Sequence, residues 1–133
     1  MSKVISFVIP CYRSAETIGR VVAELDAAMQ KMPAYQYEIV LVNDCSPDNT
    51  FEVIRGLCAQ RTDICGISLA RNFGQHAALM AGFRYTRGDV VICLDDDGQT
   101  PAAEAGKLLA KIEEGFDVVY AKYAHKQHSG FRN

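Results

Sequence analysis

The fold turns on the stretch Val4-Ile5-Ser6-Phe7-Val8-Ile9-Pro10-Cys11-Tyr12. Its apolar residues run almost without interruption instead of alternating with polar ones. A short Val- and Ile-rich run bounded by turn residues marks a strand covered on both faces, as in a parallel sheet. Ile39 to Val42, Ile67 to Leu69, Val90 to Leu94 and Val118 to Tyr120 repeat the pattern. Parallel strands need long crossovers, and helical patterns lie where those belong. Ile18, Val21, Val22, Leu25, Ala28 and Met29 recur at the three-and-four spacing of one helical face, and Ala105, Leu108, Leu109 and Ile112 do the same. Ser46-Pro47 and Thr100-Pro101 each place a capping hydroxyl before a proline suited to the first helical position, and Ser14 can cap the first helix. The resulting β-α-β-α-β-α-β-α-β order predicts a three-layer, doubly wound, mostly parallel α/β sheet. Its ligand site belongs at the carboxyl ends of the strands.

The chain has 133 residues, with 14 Lys and Arg against 16 Asp and Glu, a net charge of −2. That length suits one domain with a radius of gyration of about 14 Å. At 49% hydrophobic and 23% charged residues the composition is that of a folded globular protein, which excludes a disordered tail. The balanced charge argues against a nucleic-acid partner, which requires a surplus of Lys and Arg. The cysteines, Cys11, Cys45, Cys58, Cys65 and Cys93, form no C-x-x-C pair and read as small buried hydrophobes in a reducing, cytoplasmic compartment. Neither a signal peptide nor a run of about 18 apolar residues is found. Residues 1–120 are expected to form the domain, and 121–133, with Lys122, His125, Lys126, His128 and Arg132, a basic exposed tail.

Chemistry gathers where strands are expected to end. Leu94-Asp95-Asp96-Asp97-Gly98-Gln99 sets three carboxylates after a strand. In extended chain Asp95 and Asp97 face one way and Asp96 the other, so the outer pair can hold a hard cation, with Gln99 as a further oxygen ligand. The structural alternative is an acidic turn ahead of the helix at Pro101, where negative charge suits the dipole. Asp44, in Val42-Asn43-Asp44-Cys45-Ser46-Pro47-Asp48, falls at another strand end and suits a ribose or base edge; Asp44 and Asp48 both also suit a cap of the helix after Ser46, the reading preferred for Asp48. Tyr12 offers a stacking face, and Glu16 fits either a ligand or the first turn of a helix. In Ala70-Arg71-Asn72-Phe73-Gly74-Gln75-His76, Arg71 can neutralise phosphate and Gly74 permits close backbone approach, although a plain turn has the same composition. His76 has no evident partner in sequence and reads as an ordinary helix-start residue. There is no G-x-G-x-x-G after the first strand, no P-loop and no G-x-S-x-G elbow.

Taken in order and spacing, Val8-Ile9-Pro10-Cys11-Tyr12, Val42-Asn43-Asp44-Cys45-Ser46-Pro47-Asp48, Arg71-Asn72-Phe73-Gly74 and Asp95-Asp96-Asp97-Gly98-Gln99 resemble the family 2 glycosyltransferases of GT-A fold. The resemblance is strongest to the branch that moves sugars onto polyprenyl phosphates. It implies a Rossmann-like nucleotide-diphospho-sugar transferase fold and an inverting, metal-dependent transfer from a UDP- or GDP-sugar to a sugar, lipid-phosphate or other acceptor. By position, Pro10, Tyr12, Glu16 and Asp44 would line the nucleoside pocket, with Arg71, Asn72 and Gly74 near the nucleotide. Asp95 and Asp97 match the family's D-x-D, which binds Mn²⁺ or Mg²⁺ with the donor diphosphate; Gln99 matches a further metal contact, and Asp95 and Asp96 join the substrate-binding set. Asp96 stands where relatives often carry a small residue, and Arg13 where an Asn often follows the tyrosine. The resemblance also implies that catalytic domains of this kind continue into an acceptor half, where the catalytic base lies in relatives using sugar or alcohol acceptors. No base is therefore assigned in this chain, and the longer protein is expected to be membrane-associated on the cytoplasmic face. Two other readings fit an acidic α/β crevice. A nucleotidyltransferase would carry a glycine-rich basic loop where Cys11-Tyr12-Arg13-Ser14 stands, and a response-regulator-like binding module would carry acids after its first strand.

Overall fold

A computed structural model describes residues 3–94 and the strand 118–120. The order is β1 (Lys3–Cys11), α1 (Ile18–Gln30), β2 (Tyr35–Asn43), α2 (Thr50–Gln60), β3 (Ile64–Ser68), α3 (Gln75–Phe83), β4 (Val90–Cys93) and β5 (Val118–Tyr120). Every strand pairing is parallel, in the sheet order β3-β2-β1-β4-β5. The chain steps outward from β1 to β3, then returns across the sheet to place β4 on the far side of β1. With right-handed crossovers that reversal puts α1 and α2 on one face and α3 on the other.

The burial pattern follows the pleat. Ile5, Phe7 and Ile9 of β1, Ile39 and Leu41 of β2, and Val90 and Ile92 of β4 pack under α1 and α2. Their neighbours Val8, Val40, Val42 and Cys93 point the other way, against Ala78 and Leu79 of α3. Both faces are therefore dry, which is why the strands read as continuous apolar runs. Each fully buried side chain such as Phe7 or Ile9 contributes about 1.5–3 kcal/mol of transfer free energy. On α1 the expected stripe is buried as Ile18, Val21, Val22, Leu25 and Met29. α3 lies directly on the sheet because of Gly82: a Cβ there would stand 2.6 Å from Val8 Cγ1 and 3.0 Å from Val42 Cγ2.

Several sequence-based boundaries shift. β3 begins at Ile64 rather than Ile67, because its register with Ile39 to Asn43 carries Cys65 and Gly66 into the ladder despite their weak strand character. β2 begins at Tyr35, in a half-exposed segment without the apolar run of its second half. Pro47 is not the first residue of α2. The Ser46 hydroxyl accepts from Arg13 N and donates to Asp48, whose carboxylate takes Thr50 N, so the helix starts at Thr50. Ser14 does not cap α1 through its side chain; its Oγ turns back to Tyr12 N at 3.0 Å, and its carbonyl receives Thr17 N and Ile18 N. Cys11 and Cys93 are buried as expected and Cys58 and Cys65 partly so, but Cys45 is exposed. Burial pushes the Cys93 thiol up to about 12. The predicted helix around Ala105 to Ile112, its Thr100-Pro101 start and the tail 121–133 lie outside the described residues.

Candidate functional site

The strand order places a topological switch between β1 and β4, and there the sheet opens at its carboxyl end. Val8 O accepts from Leu94 N at 3.0 Å, so Val8 turns its backbone groups towards β4. Two residues further along the same edge stands Pro10, which has no N–H to continue the ladder. The buried proline thus marks where β1 and β4 cease to be tied together. Leu94 is the last described residue before the acidic triplet. Asp95, Asp96, Asp97 and Gln99 lie outside the described residues, and among the described residues no cluster of His, Cys, Asp or Glu could hold a metal.

On the other side of β1 the loops are locked together. Asp44 N donates to Cys11 O at 2.9 Å, which carries the pairing of β2 with β1 one residue past the strand. The Asp44 side chain is only 2% exposed. Its Oδ1 accepts from Phe73 N at 2.8 Å and its Oδ2 from Gly74 N at 2.9 Å. One buried carboxylate therefore fixes the loop of Arg71, Asn72, Phe73 and Gly74 over the end of β2. Gly74, at φ 98° and ψ 162°, begins α3 in a conformation that side chains avoid, and this lets two successive amides face one carboxylate.

The loops after β1 and β2 turn by the same device. Arg13 and Cys45 each stand two residues beyond their strand with φ of 55° and 54°, and they are the non-glycine residues with positive φ among the described ones. Backbone of this kind is held by its surroundings. Arg13 N donates to Ser46 Oγ at 2.8 Å and Ser14 N to Thr50 Oγ1 at 2.9 Å, bonding the two loops directly. Both hydroxyls donate in turn to Asp48. Burial tends to raise the Asp48 carboxyl, but the hydroxyls of Ser46 and Thr50 and the Thr50 amide outweigh it and hold it below the usual carboxylate range. Asp48 is thus the capping acid expected from sequence. Asn43, which sequence reasoning left without a role, bridges the same region: its Nδ2 donates to Ser68 Oγ at 3.0 Å and its Oδ1 accepts from Ser46 N at 3.1 Å.

The structure therefore brings Pro10, Tyr12, Asp44 and Gly74 to adjoining strand ends, with Arg71 and Asn72 exposed on the clamped loop. The Arg13 guanidinium lies 5.5 Å from the centroid of the half-buried Tyr12 ring, and that of Arg71 lies 5.8 Å from the ring of Phe73. Glu16 is exposed in the turn ahead of α1 and not in its first turn, so it does not serve the helix as a first-turn acid. His76 is exposed on α3.

An open parallel sheet with a switch-point crevice, rigid strand-end loops and a buried acid at the end of β2 defines a doubly wound α/β domain whose ligand crevice lies at the carboxyl ends of its strands. The chain belongs to glycosyl transferase family 2, whose model matches residues 6–133. It is 41% identical over 129 residues to an undecaprenyl-phosphate 4-deoxy-4-formamido-L-arabinose transferase of Pseudomonas fluorescens, covering 96% of this chain and 38% of that protein. A transferase of the same description from Yersinia enterocolitica is 41% identical over 131 residues, covering 98% and 40%. The chain thus spans about two fifths of the length of these relatives. Among solved structures it is similar to S. aureus TarS 1-349 in complex with UDP-GlcNAc, with TM-score 0.64 and 25% identity over 86% of this chain and 32% of the other. It is also similar to a mannosyltransferase from Pyrobaculum calidifontis in complex with GDP-Man and Mn²⁺, with TM-score 0.64 and 20% identity over 79% and 32%. The architecture is the expected GT-A fold.

Proposed function

We propose that this chain is the donor-binding part of a glycosyltransferase that moves a sugar from a nucleoside diphosphate to a polyprenyl phosphate. The observation that carries the reading is Asp44. It is buried at the end of β2 with both oxygens on the amides of Phe73 and Gly74. Each carboxylate oxygen has a further lone pair, so Asp44 can accept a base or ribose donor while it holds the loop. Pro10, Tyr12 and Glu16 complete the nucleoside side, with Arg71, Asn72 and Gly74 close to the nucleotide. The names of the relatives support undecaprenyl phosphate as the acceptor and 4-deoxy-4-formamido-L-arabinose as the first sugar to try.

Asp95, Asp97 and Gln99, following directly on the strand that ends beside Pro10, are hard oxygen donors, a set suited to Mn²⁺ or Mg²⁺; Asp96 contributes to the donor side. A cation bound there supplies charge neutralisation for the departing diphosphate. An acceptor phosphate oxygen attacks the anomeric carbon, the bond from that carbon to the diphosphate oxygen breaks, and the configuration inverts. The acceptor is already an anion, so no base from this chain is required. Residues 1–120 are assigned to the donor domain, working at the cytoplasmic face of a membrane. No helix among the described residues is long and apolar enough to cross a membrane.

The test is product analysis of the protein with a UDP- or GDP-sugar and undecaprenyl phosphate. Release of nucleoside diphosphate with sugar on the lipid is expected. Release of sugar 1-phosphate instead, or of pyrophosphate when a nucleoside triphosphate and a sugar 1-phosphate are supplied, would identify a nucleotidyltransferase.

A further inference from the structure

More converges on Asp48 than the start of one helix requires. Its Oδ1 accepts from the hydroxyls of Ser46 and Thr50 and from Thr50 N, and the Ala15 amide bonds to the same carboxylate. Four donors are about as many as a carboxylate accepts, which suits a group that holds and not one that binds a ligand. The donors come from two loops, the one after β2 and the one after β1. Each hydroxyl has a single proton to give. Thr50 Oγ1 could direct its own to Ser46 Oγ at 3.4 Å, but the carboxylate is nearer and charged. With both protons turned to Asp48, the two oxygens present lone pairs to the loop after β1, and there Arg13 N and Ser14 N donate to Ser46 and Thr50 at 2.8 and 2.9 Å. Three successive amides, of Arg13, Ser14 and Ala15, thus end on Ser46, Thr50 and Asp48. Successive amides of this kind form an anion-binding nest, and here the protein's own side chains fill it.

We infer that Asp48 is a positioning residue: through Ser46 and Thr50 it moulds the loop that carries Tyr12, Arg13 and Glu16, and so sets the nucleoside side of the proposed site. The backbone of that loop shows why a mould is needed. Arg13 has a φ of 55°, a conformation that a residue with a side chain keeps only when its surroundings hold it. Released, Arg13 relaxes towards negative φ and carries Tyr12 away from the end of β1. The hold is also hard to replace with water. Ser14 and Thr50 are 1% and 0% exposed, so a Ser14 amide that loses the Thr50 hydroxyl stays buried without an acceptor. The inference rests on the proposed function for the identity of the ligand, whereas the holding of the loop does not.

Two measurements on the chain test this: hydrogen exchange at the amides of Arg13, Ser14 and Ala15, and calorimetric affinity for uridine, guanosine and their diphosphates. Asp48→Asn keeps the size of the side chain but turns one acceptor into a donor, and Thr50→Val keeps the shape but removes the hydroxyl. Each should speed exchange of the three amides. Each should also weaken nucleoside and nucleoside diphosphate by the same factor, about tenfold, in Mn²⁺ and in chelator alike. Thr50→Ser, which keeps a hydroxyl, should hold most of that affinity. Glu52→Gln removes the acid from the first turn of α2 without touching either loop, so it should lower stability and leave affinity where it was. Circular dichroism checks the fold of every variant. Unchanged exchange in folded Asp48→Asn overturns the inference. So does faster exchange with unchanged nucleoside affinity, which leaves Asp48 a helix cap, and so does an equal loss of affinity in Glu52→Gln, which assigns the effect to the stability of α2. Faster exchange in Asp48→Asn beside a parent chain that binds neither nucleoside nor nucleotide keeps the moulded loop and overturns the proposed function instead.

Discussion

Asp44 carries a structural duty beside the ligand role proposed for it. Two backbone amides depend on its carboxylate, and both belong to the loop that carries Arg71 and Asn72. Asp44→Ala leaves those amides without their acceptor, and a buried donor so stranded costs about 1–3 kcal/mol. Denaturant unfolding should show that loss, and calorimetry should show weakened nucleotide affinity even in chelator. Retained stability with lost affinity would mean that Asp44 acts on the ligand alone. The sequence made Asp44 a candidate through its place at a strand end, but nothing in it pointed to Phe73 N and Gly74 N, because that pairing joins residues 29 and 30 positions apart. Asp48 was legible as a cap because its partners Ser46 and Thr50 are local. Glu16 was misplaced relative to α1 because the Ser14 carbonyl, not its hydroxyl, organises the turn before the helix.

At the scale of elements, legibility followed burial. β1, the α1 stripe and β4 were readable because dry faces demand continuous apolar residues or a clean helical period. β3 and the first half of β2 were blurred because edge or half-exposed strands tolerate Gly66, Gln36 and Glu38. α3 has apolar residues around most of its circumference, so periodicity could not say which side faces the sheet. Gly82 settles it, as it alone lets the helix approach Val8 and Val42. Gly82→Val should destabilise the protein by about 1–3 kcal/mol through overpacking, measured by thermal or urea unfolding. An unchanged midpoint would show that α3 can lift from the sheet. At the opposite end of the sheet a polar latch joins the elements that α1 and α2 bring together. Arg61 bonds Asp26 at 2.6 Å and Asp63 at 2.9 Å, and the Tyr37 hydroxyl donates to Asp26 at 2.6 Å. Bonds to Asp63 and Asp26 raise the Arg61 guanidinium, and Arg61 holds the Asp63 carboxyl below its usual range.

For the molecule as a whole the latch gives stability a pH dependence of definite sign. Burial, reinforced by Asp26, raises the Tyr37 phenol from 10.0 to about 12. The folded chain therefore keeps a proton that the unfolded chain releases, so this contribution is full below pH 10 and is lost as pH rises towards 12. Tyr37→Phe should flatten the alkaline fall in unfolding free energy. At the acid side the depressed Asp63 and Asp48 contribute stability above the ordinary carboxylate range, and it is lost on acidification. The chain-wide organisation, a doubly wound sheet, was legible because topology follows from element order. The metal role of Asp95 and Asp97 is decided by isothermal titration of UDP, GDP and their sugars into the folded chain, with Mn²⁺ and again with chelator. Metal-dependent binding of one nucleotide sugar is expected, abolished by Asp97→Ala with the fold retained. Binding of equal strength in chelator, unmoved by Asp97→Ala, would contradict it.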